Sequence, residues 1–324
     1  MPLLRFLLIP FLLLAVSAAA QPAPGCPPPP LDLQKLPVDE LRAGARDRGV
    51  LWRLEKDGRT SWLYGTVHVS RVDWVVPGAF IQHALEASDV LALELDPADP
   101  ELGRRLFAAG GDAGRQQRVL EGLQPRLAAP AQRACLRPEG LAALRPLFQL
   151  MMLGLTEARR EGLHAEIGVD AVLYGMARRL DKEVVALESP AAQLAAMVPD
   201  TEADERVLIE RGVQDLESDA ARDQLTGLLS AWVEGDAARL ASYPQWCGCM
   251  DTPAEQRFHQ RLNDLRNPAL ADKVAALHDG GRRTLARANQ VAADEADQSD
   301  HRDQQALRVE HAARQRDIFR IDRL

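Results

Sequence analysis

The run Val90-Leu91-Ala92-Leu93-Glu94-Leu95 constrains the fold of this chain more than any other stretch. Its apolar residues do not alternate with polar ones, so a strand there is expected to be covered on both faces, as in sheets with helices packed above and below. Asp96-Pro97 marks the exit of that strand. Before it, Phe80, Ile81, Ala84 and Leu85 recur at helical spacing in a segment from Pro77 to Ser88. A second short run, Glu183-Val184-Val185-Ala186-Leu187-Glu188, leads into Ser189-Pro190, a helix cap followed by a first-turn proline. Upstream, Leu51 to Glu55 alternates, Asp57-Gly58 suits a hairpin turn, and Ser61-Trp62-Leu63-Tyr64 resumes the strand pattern.

Between these strands the chain is Ala- and Leu-rich with helical periodicity, over about Pro100 to Leu180, Asp200 to Leu240 and Pro253 to His278, with Gly280-Gly281 as the stop. Strands alternating with helices predict an α/β fold: a central mixed sheet flanked by helices, with a large, mainly helical middle segment. The acidic stretch Thr201 to Asp219 reads as a solvated helix face.

Residues 1–20 carry one positive charge at Arg5, an apolar run from Phe6 to Val16 and the triplet Ala18-Ala19-Ala20. That pattern predicts a secretory signal peptide and a periplasmic protein. The apolar run is short for a membrane span, which needs about 20 residues, so no stable span is expected after cleavage. A Pro-rich lead occupies 21–45, and 46–324 is expected to form one domain, with 284–324 as an atypical C-terminal segment. Export permits disulfides among Cys26, Cys135, Cys247 and Cys249. A bridge within Cys247-Gly248-Cys249 would close a very small ring, so one of those two is expected to pair with Cys26 or Cys135. A zinc site is the rival, although CxC with isolated partners lacks zinc-ribbon spacing. With 39 basic and 47 acidic residues and a net charge of -8, nucleic acid is not expected as a partner.

Three strands end in a residue suited to acid, base or metal work. The strand through Leu63 and Tyr64 runs into Gly65-Thr66-Val67-His68, the second reaches Glu94 and the third reaches Glu188. Ligand crevices of open α/β sheets lie outside the carboxyl ends of strands, where these three side chains would converge. One imidazole and two carboxylates suit a divalent ion such as manganese, cobalt or zinc. Gly65 would let backbone approach the ion or a substrate. Taken singly, each residue has a plainer role: a histidine at a strand end is commonly a structural hydrogen-bonding group, and each glutamate could flank the next helix. Their coincidence across three strands favours the functional reading. The sequence holds no GxSxG, P-loop, HExxH or GxGxxG motif.

Trp62-Leu63-Tyr64-Gly65-Thr66-Val67-His68 followed by Val90 to Glu94 resembles the opening of the TraB/GumN family, to which the Tiki-type membrane metalloproteases are related. The resemblance continues through Gly168-Val169-Asp170 with Leu173, Lys182 to Glu188 with Gln193-Leu194, and Leu262-Asn263-Asp264-Leu265-Arg266-Asn267, spanning about Leu51 to Gly281. It implies a metal-dependent site built from two GxxH motifs, with acidic residues and an arginine nearby. On this sequence Gly65 and His68 match the first motif, Glu94 and Glu188 the acidic positions, and Arg266 the arginine. His68, Glu94 and Glu188 are then the implied metal ligands, and Glu94, Glu188 and Arg266 the implied catalytic groups. The implied activity is that of an exported, peptidase-like hydrolase using metal-activated water on a peptide or protein substrate.

The second motif departs from the pattern. In Thr284-Leu285-Ala286-Arg287-Ala288-Asn289-Gln290, Arg287 stands where the glycine would be and Gln290 where the histidine would be. Glutamine offers a carbonyl oxygen but no imidazole nitrogen. Asp294 to Arg316 is crowded with Asp, Gln, Arg and His, where the family has an apolar helix and strand. Either the motif has degenerated in place or the reading frame was disturbed near Arg282. Asp317 to Ile321 can still form a closing strand. The alternative to a hydrolase is therefore a non-catalytic relative that binds a peptide or partner and holds no metal.

Overall fold

The computed structural model describes residues 25–100, 102, 105, 113–218, 220–288 and 320–324. The leader expected at 1–20, the beginning of the Pro-rich lead, and Gln290 lie outside the described residues.

Among the described residues six strands form one sheet in the order β4-β3-β5-β2-β1-β6. They are β1 (Leu51–Lys56), β2 (Arg59–Gly65), β3 (Val90–Leu93), β4 (Glu183–Ala186), β5 (Thr284–Ala288) and β6 (Arg320–Arg323). β4, β3, β5 and β2 are mutually parallel, whereas β1 pairs antiparallel with both β2 and β6. The mixed α/β sheet is thus as expected. Its β1–β2 hairpin turns at Asp57 and Gly58, both at positive φ.

β3 is fully buried, and its residues alternate between two cores. Leu91 and Leu93 face a large cluster with Trp62, Ile81, Leu85 and Trp232, while Ala92 faces a smaller one with Leu187, Val274 and Ala286. Covering by helices on both faces explains why the strand reads as unbroken apolar sequence. β5 behaves likewise, with Leu285 and Ala286 each turned toward one of these cores. The strand that comes late in the chain is therefore a central one, lying between β3 and β2. β4 differs from the expectation of a buried strand: it is the sheet edge, partly exposed along its length.

Among the described residues the middle of the chain is mainly helical, as expected, with a core of its own around Val119, Leu127, Leu153, Ile209 and Val213. The acidic helix Glu202–Glu217 is solvated only in part, since Glu205 is buried. Glu205 pairs with Arg115 at 2.7 Å, Glu202 with Arg118 at 2.9 Å and Asp204 with Arg257 at 2.5 Å, so neighbouring helices clamp it through arginines. The helix expected from Pro77 begins at Ala79, because Asp47 caps it from outside by accepting from the Phe80 and Ile81 N–H groups.

The cysteines pair differently from expectation. Cys26 joins Cys135 across 109 positions, and Cys247 joins Cys249. The tight ring closes because Gly248 adopts a left-handed φ of 60°, a conformation that carries no steric penalty for glycine. The two Cα atoms of that ring lie 5.1 Å apart. Among the described residues no helix is long and apolar enough to cross a membrane.

Candidate functional site

The parallel strands bring their carboxyl ends to one edge of the sheet. β2 runs on into Thr66-Val67-His68, β3 into Glu94, β4 toward Glu188, and β5 carries Arg287. Backbone bonds from Leu187 N–H to Leu93 O (2.7 Å) and from Glu188 N–H to Glu94 O (3.0 Å) extend the β3–β4 pairing and set the two glutamates side by side. The helix Val169–Arg179 reaches the same edge, since Val169 N–H donates to Val67 O at 2.9 Å. Gly168 makes this approach feasible: a Cβ there would lie 2.5 Å from the His68 carbonyl oxygen. Asp170, in the first turn of that helix, is thereby placed beside His68.

A polar cluster results. His68 Nδ1 is 3.0 Å from Asp170 Oδ2, and Thr66 Oγ1 donates to Asp170 Oδ1 at 2.8 Å. Arg287 Nε donates to Thr66 Oγ1 at 3.0 Å, and Arg287 Nη2 lies 3.2 Å from His68 Nε2. A guanidinium has no lone pair to offer, so Nε2 accepts, and the ring proton is assigned to Nδ1, which donates to Asp170. The other guanidinium nitrogen, Arg287 Nη1, contacts Glu94 Oε1. Glu94 Oε2 meets Arg266 Nη2 at 2.8 Å, and Arg266 grips Glu188 through Nε at 2.9 Å and through Nη2. Gln193 Nε2 donates to both glutamates, at 3.0 Å to Glu94 and 3.1 Å to Glu188.

Asp170, Arg287, Glu94, Arg266 and Glu188 therefore alternate in charge along the sheet edge. The arginines sit deep and the imidazole sits at the mouth: the Arg287 side chain is 7% exposed and that of His68 is 69% exposed. Burial pulls the Arg287 guanidinium down to about 10, which still leaves it cationic at neutral pH. Groups desolvated to this degree keep their charge only when each has a partner, and here each has one or two.

His68, Glu94, Glu188, Arg266 and Arg287 all meet at this edge. Gly65 serves it differently, because its carbonyl accepts the Trp232 indole N–H at 2.9 Å. Three participants were not singled out from sequence. Thr66 lay within the histidine motif, Asp170 opened the helix after Gly168, and Gln193 followed the Ser189 cap by one turn. Each was visible as a residue, but the partner that gives it a role lies far away in the chain. Among the described residues no group of three or more His, Cys, Asp and Glu side chains is arranged to hold a metal ion.

Comparison with known protein families matches residues 50–287 to the TraB/PrgY/gumN family. The chain belongs to the TraB/PrgY/gumN family. No curated protein and no solved structure matches it. The TraB/PrgY/gumN match contains every residue of the cluster and runs through β5 to Arg287, so it continues past Arg282.

Beside the cluster lies a cleft of about 490 Å³ between the helix Pro190–Met197 and the helices Pro253–Leu262 and Asn267–Asp279. Glu188 and Arg266 line it, together with Leu187, Leu265, Arg261 and Lys273. Leu265 is 64% exposed.

Proposed function

We propose that this protein is a non-catalytic member of the TraB/PrgY/gumN family that binds a peptide segment of a partner. The supporting observation is the position of Arg287, whose guanidinium pairs with Glu94, Thr66 and His68. The resemblance to Tiki-type metalloproteases implies a dication held by His68, Glu94 and Glu188. The donor set does not suit one: the Nε2 lone pair of His68 faces a guanidinium nitrogen, and both glutamates are gripped by arginines. A dication would have to displace or closely face two fixed cations, at about 332/(εr) kcal/mol of repulsion per pair of unit charges. Gln290, at the second histidine position, supplies no imidazole to offset that repulsion.

Binding would take place in the cleft next to the cluster. Its volume lies in the ordinary range for ligand sites, about 300–1,000 Å³, and its apolar lining with a few charged groups suits an extended peptide. The leader pattern of residues 1–20 makes it an exported binder.

Calorimetric titration with manganese, cobalt and zinc tests the non-catalytic half. No binding at micromolar metal is expected, and micromolar binding abolished by His68→Ala would overturn it. Selection from a displayed peptide library tests the binding half. Enriched peptides should lose affinity for Leu265→Glu, whereas no enrichment, or enrichment indifferent to that substitution, rejects the cleft as the binding site.

A further inference from the structure

We propose that Cys247 and Cys249 form a dithiol–disulfide exchange site, separate from the charged cluster. The bond closes a ring with one intervening residue, whereas Cys26–Cys135 spans 109 positions. A disulfide gains its hold largely by restricting the unfolded chain, and so small a ring restricts very little. A purely structural role is thus poorly served by this pair.

The surroundings favour exchange. Cys247 is 1% exposed, while Cys249 is only partly buried, so an incoming sulfur meets Cys249 first. The Cys249 N–H donates to Cys247 Sγ at 3.1 Å, which would stabilise negative charge on that sulfur. Arg211 fixes the turn by donating from Nη2 to the Gly248 carbonyl at 2.7 Å, and its other nitrogens are tied to Asp215 and Asp251. The turn is therefore held independently of the sulfur–sulfur bond, so the two sulfurs stay close after it opens.

The co-reactant is a dithiol on a protein or peptide. One of its thiolates attacks Cys249 Sγ; the Cys247–Cys249 bond breaks and Cys247 Sγ leaves with the electron pair. The second thiolate then attacks the partner sulfur of the mixed disulfide and releases Cys249. The two protons lost by the partner thiols are balanced by those taken up by Cys247 and Cys249. Two electrons pass to this protein, and the partner gains a disulfide. Run backwards on a partner disulfide, the same steps restore the Cys247–Cys249 bond.

The test uses the folded full chain in graded dithiothreitol redox buffers, with alkylation, peptide mass mapping and circular dichroism. Cys247–Cys249 should be half reduced at a reductant-to-oxidant ratio at least about ten-fold lower than Cys26–Cys135 requires, with the dichroism unchanged. Opening of both bonds together, or only with loss of the fold, overturns the proposal. A reduced two-cysteine peptide mixed with an equimolar amount of oxidised protein should become oxidised as Cys247–Cys249 is reduced; an unreacted peptide overturns it. Direction of attack is read with glutathione disulfide. Cys247→Ser, which leaves Cys249, should form the mixed disulfide at least about ten-fold faster than Cys249→Ser. Equal rates would refute the assignment of Cys249 as the attacked sulfur.

Discussion

Arg287 Nε donates to Thr66 Oγ1 at 3.0 Å, and the Thr66 hydroxyl in turn donates to Asp170 Oδ1 at 2.8 Å. The Thr66 hydroxyl is thus bound on one side by an arginine that lies 221 positions further along the chain and on the other by Asp170. Arg287→Ala would leave Glu94 with Arg266 as its remaining cation and Asp170 without the nearby guanidinium. Removing one member of a buried ion pair costs about 3–5 kcal/mol. The lower end is expected here because Arg266 remains, and urea unfolding of the variant measures it. Arg287→Lys should recover only part of the loss, since an ammonium cannot reach Thr66, His68 and Glu94 in one plane.

Asp89, just before β3, links that strand to the start of β5. Its carboxylate accepts from the Arg283 side chain at 2.6 Å and from the Arg283 N–H at 2.9 Å, and these bonds hold it down at about 2. A carboxyl depressed on folding contributes stability above its unfolded value, near 4, and loses it as pH falls through the folded value. The difference in stability between wild type and Asp89→Asn should therefore be constant above about pH 4 and shrink toward pH 2. Both side chains are substantially exposed, so the effect should be small and fade with salt. A difference that grows on acidification would contradict the assignment.

The buried His278 ring joins three parts of the sheet region. Its Nδ1 lies 2.8 Å from Ser61 Oγ, its Nε2 lies 3.2 Å from the Lys56 carbonyl, and Ser61 Oγ also accepts the Thr284 N–H at 3.0 Å. The carbonyl requires a proton on Nε2, so Nδ1 accepts from the serine hydroxyl. Serine and histidine in contact suggest a catalytic dyad, but full burial and committed partners make this a bracket between β1, β2, β5 and the helix Asn267–Asp279. Ser61→Ala strands two buried groups, each worth about 1–3 kcal/mol. A loss of about 2–6 kcal/mol in chemical unfolding is expected.

Much of this architecture is legible in the sequence because local pattern and tertiary role agree. Leu91 and Leu93 bury one face of β3 and Ala92 the other, and an unbroken apolar run says as much. The three strand-end residues His68, Glu94 and Glu188 could be placed at one edge because parallel strands share a direction. β4 was harder to read, since an apolar strand of four residues looks the same at a sheet edge as in its centre. Ring size alone argues against a Cys247–Cys249 bond, and the left-handed φ of Gly248 that lets it close has no signature in the residue pattern. The charge alternation was hidden for a different reason. Arg287 and Arg266 signalled cations, but their neutralisation by Glu94, Glu188 and Asp170 depends on contacts across long stretches of chain.

Gly168 offers the sharpest test of how the cluster is assembled. Its φ of -51° is ordinary, so alanine would adopt the same backbone without conformational strain. The obstacle is contact: the added Cβ would meet the His68 carbonyl oxygen at 2.5 Å and its carbon at 2.8 Å. Backbone atoms cannot turn aside as a side chain can, so the helix Val169–Arg179 must withdraw. Asp170 would then move away from Thr66 and His68, and the Val169 to Val67 hydrogen bond would lengthen. Overpacking of this kind costs about 1–3 kcal/mol. Gly168→Ala should lower stability by that amount and raise amide exchange at Val169, whereas Gly175→Ala, on the same helix with open space at its Cβ, should do neither. Equal responses from the two variants would show that the helix start does not depend on close approach to His68.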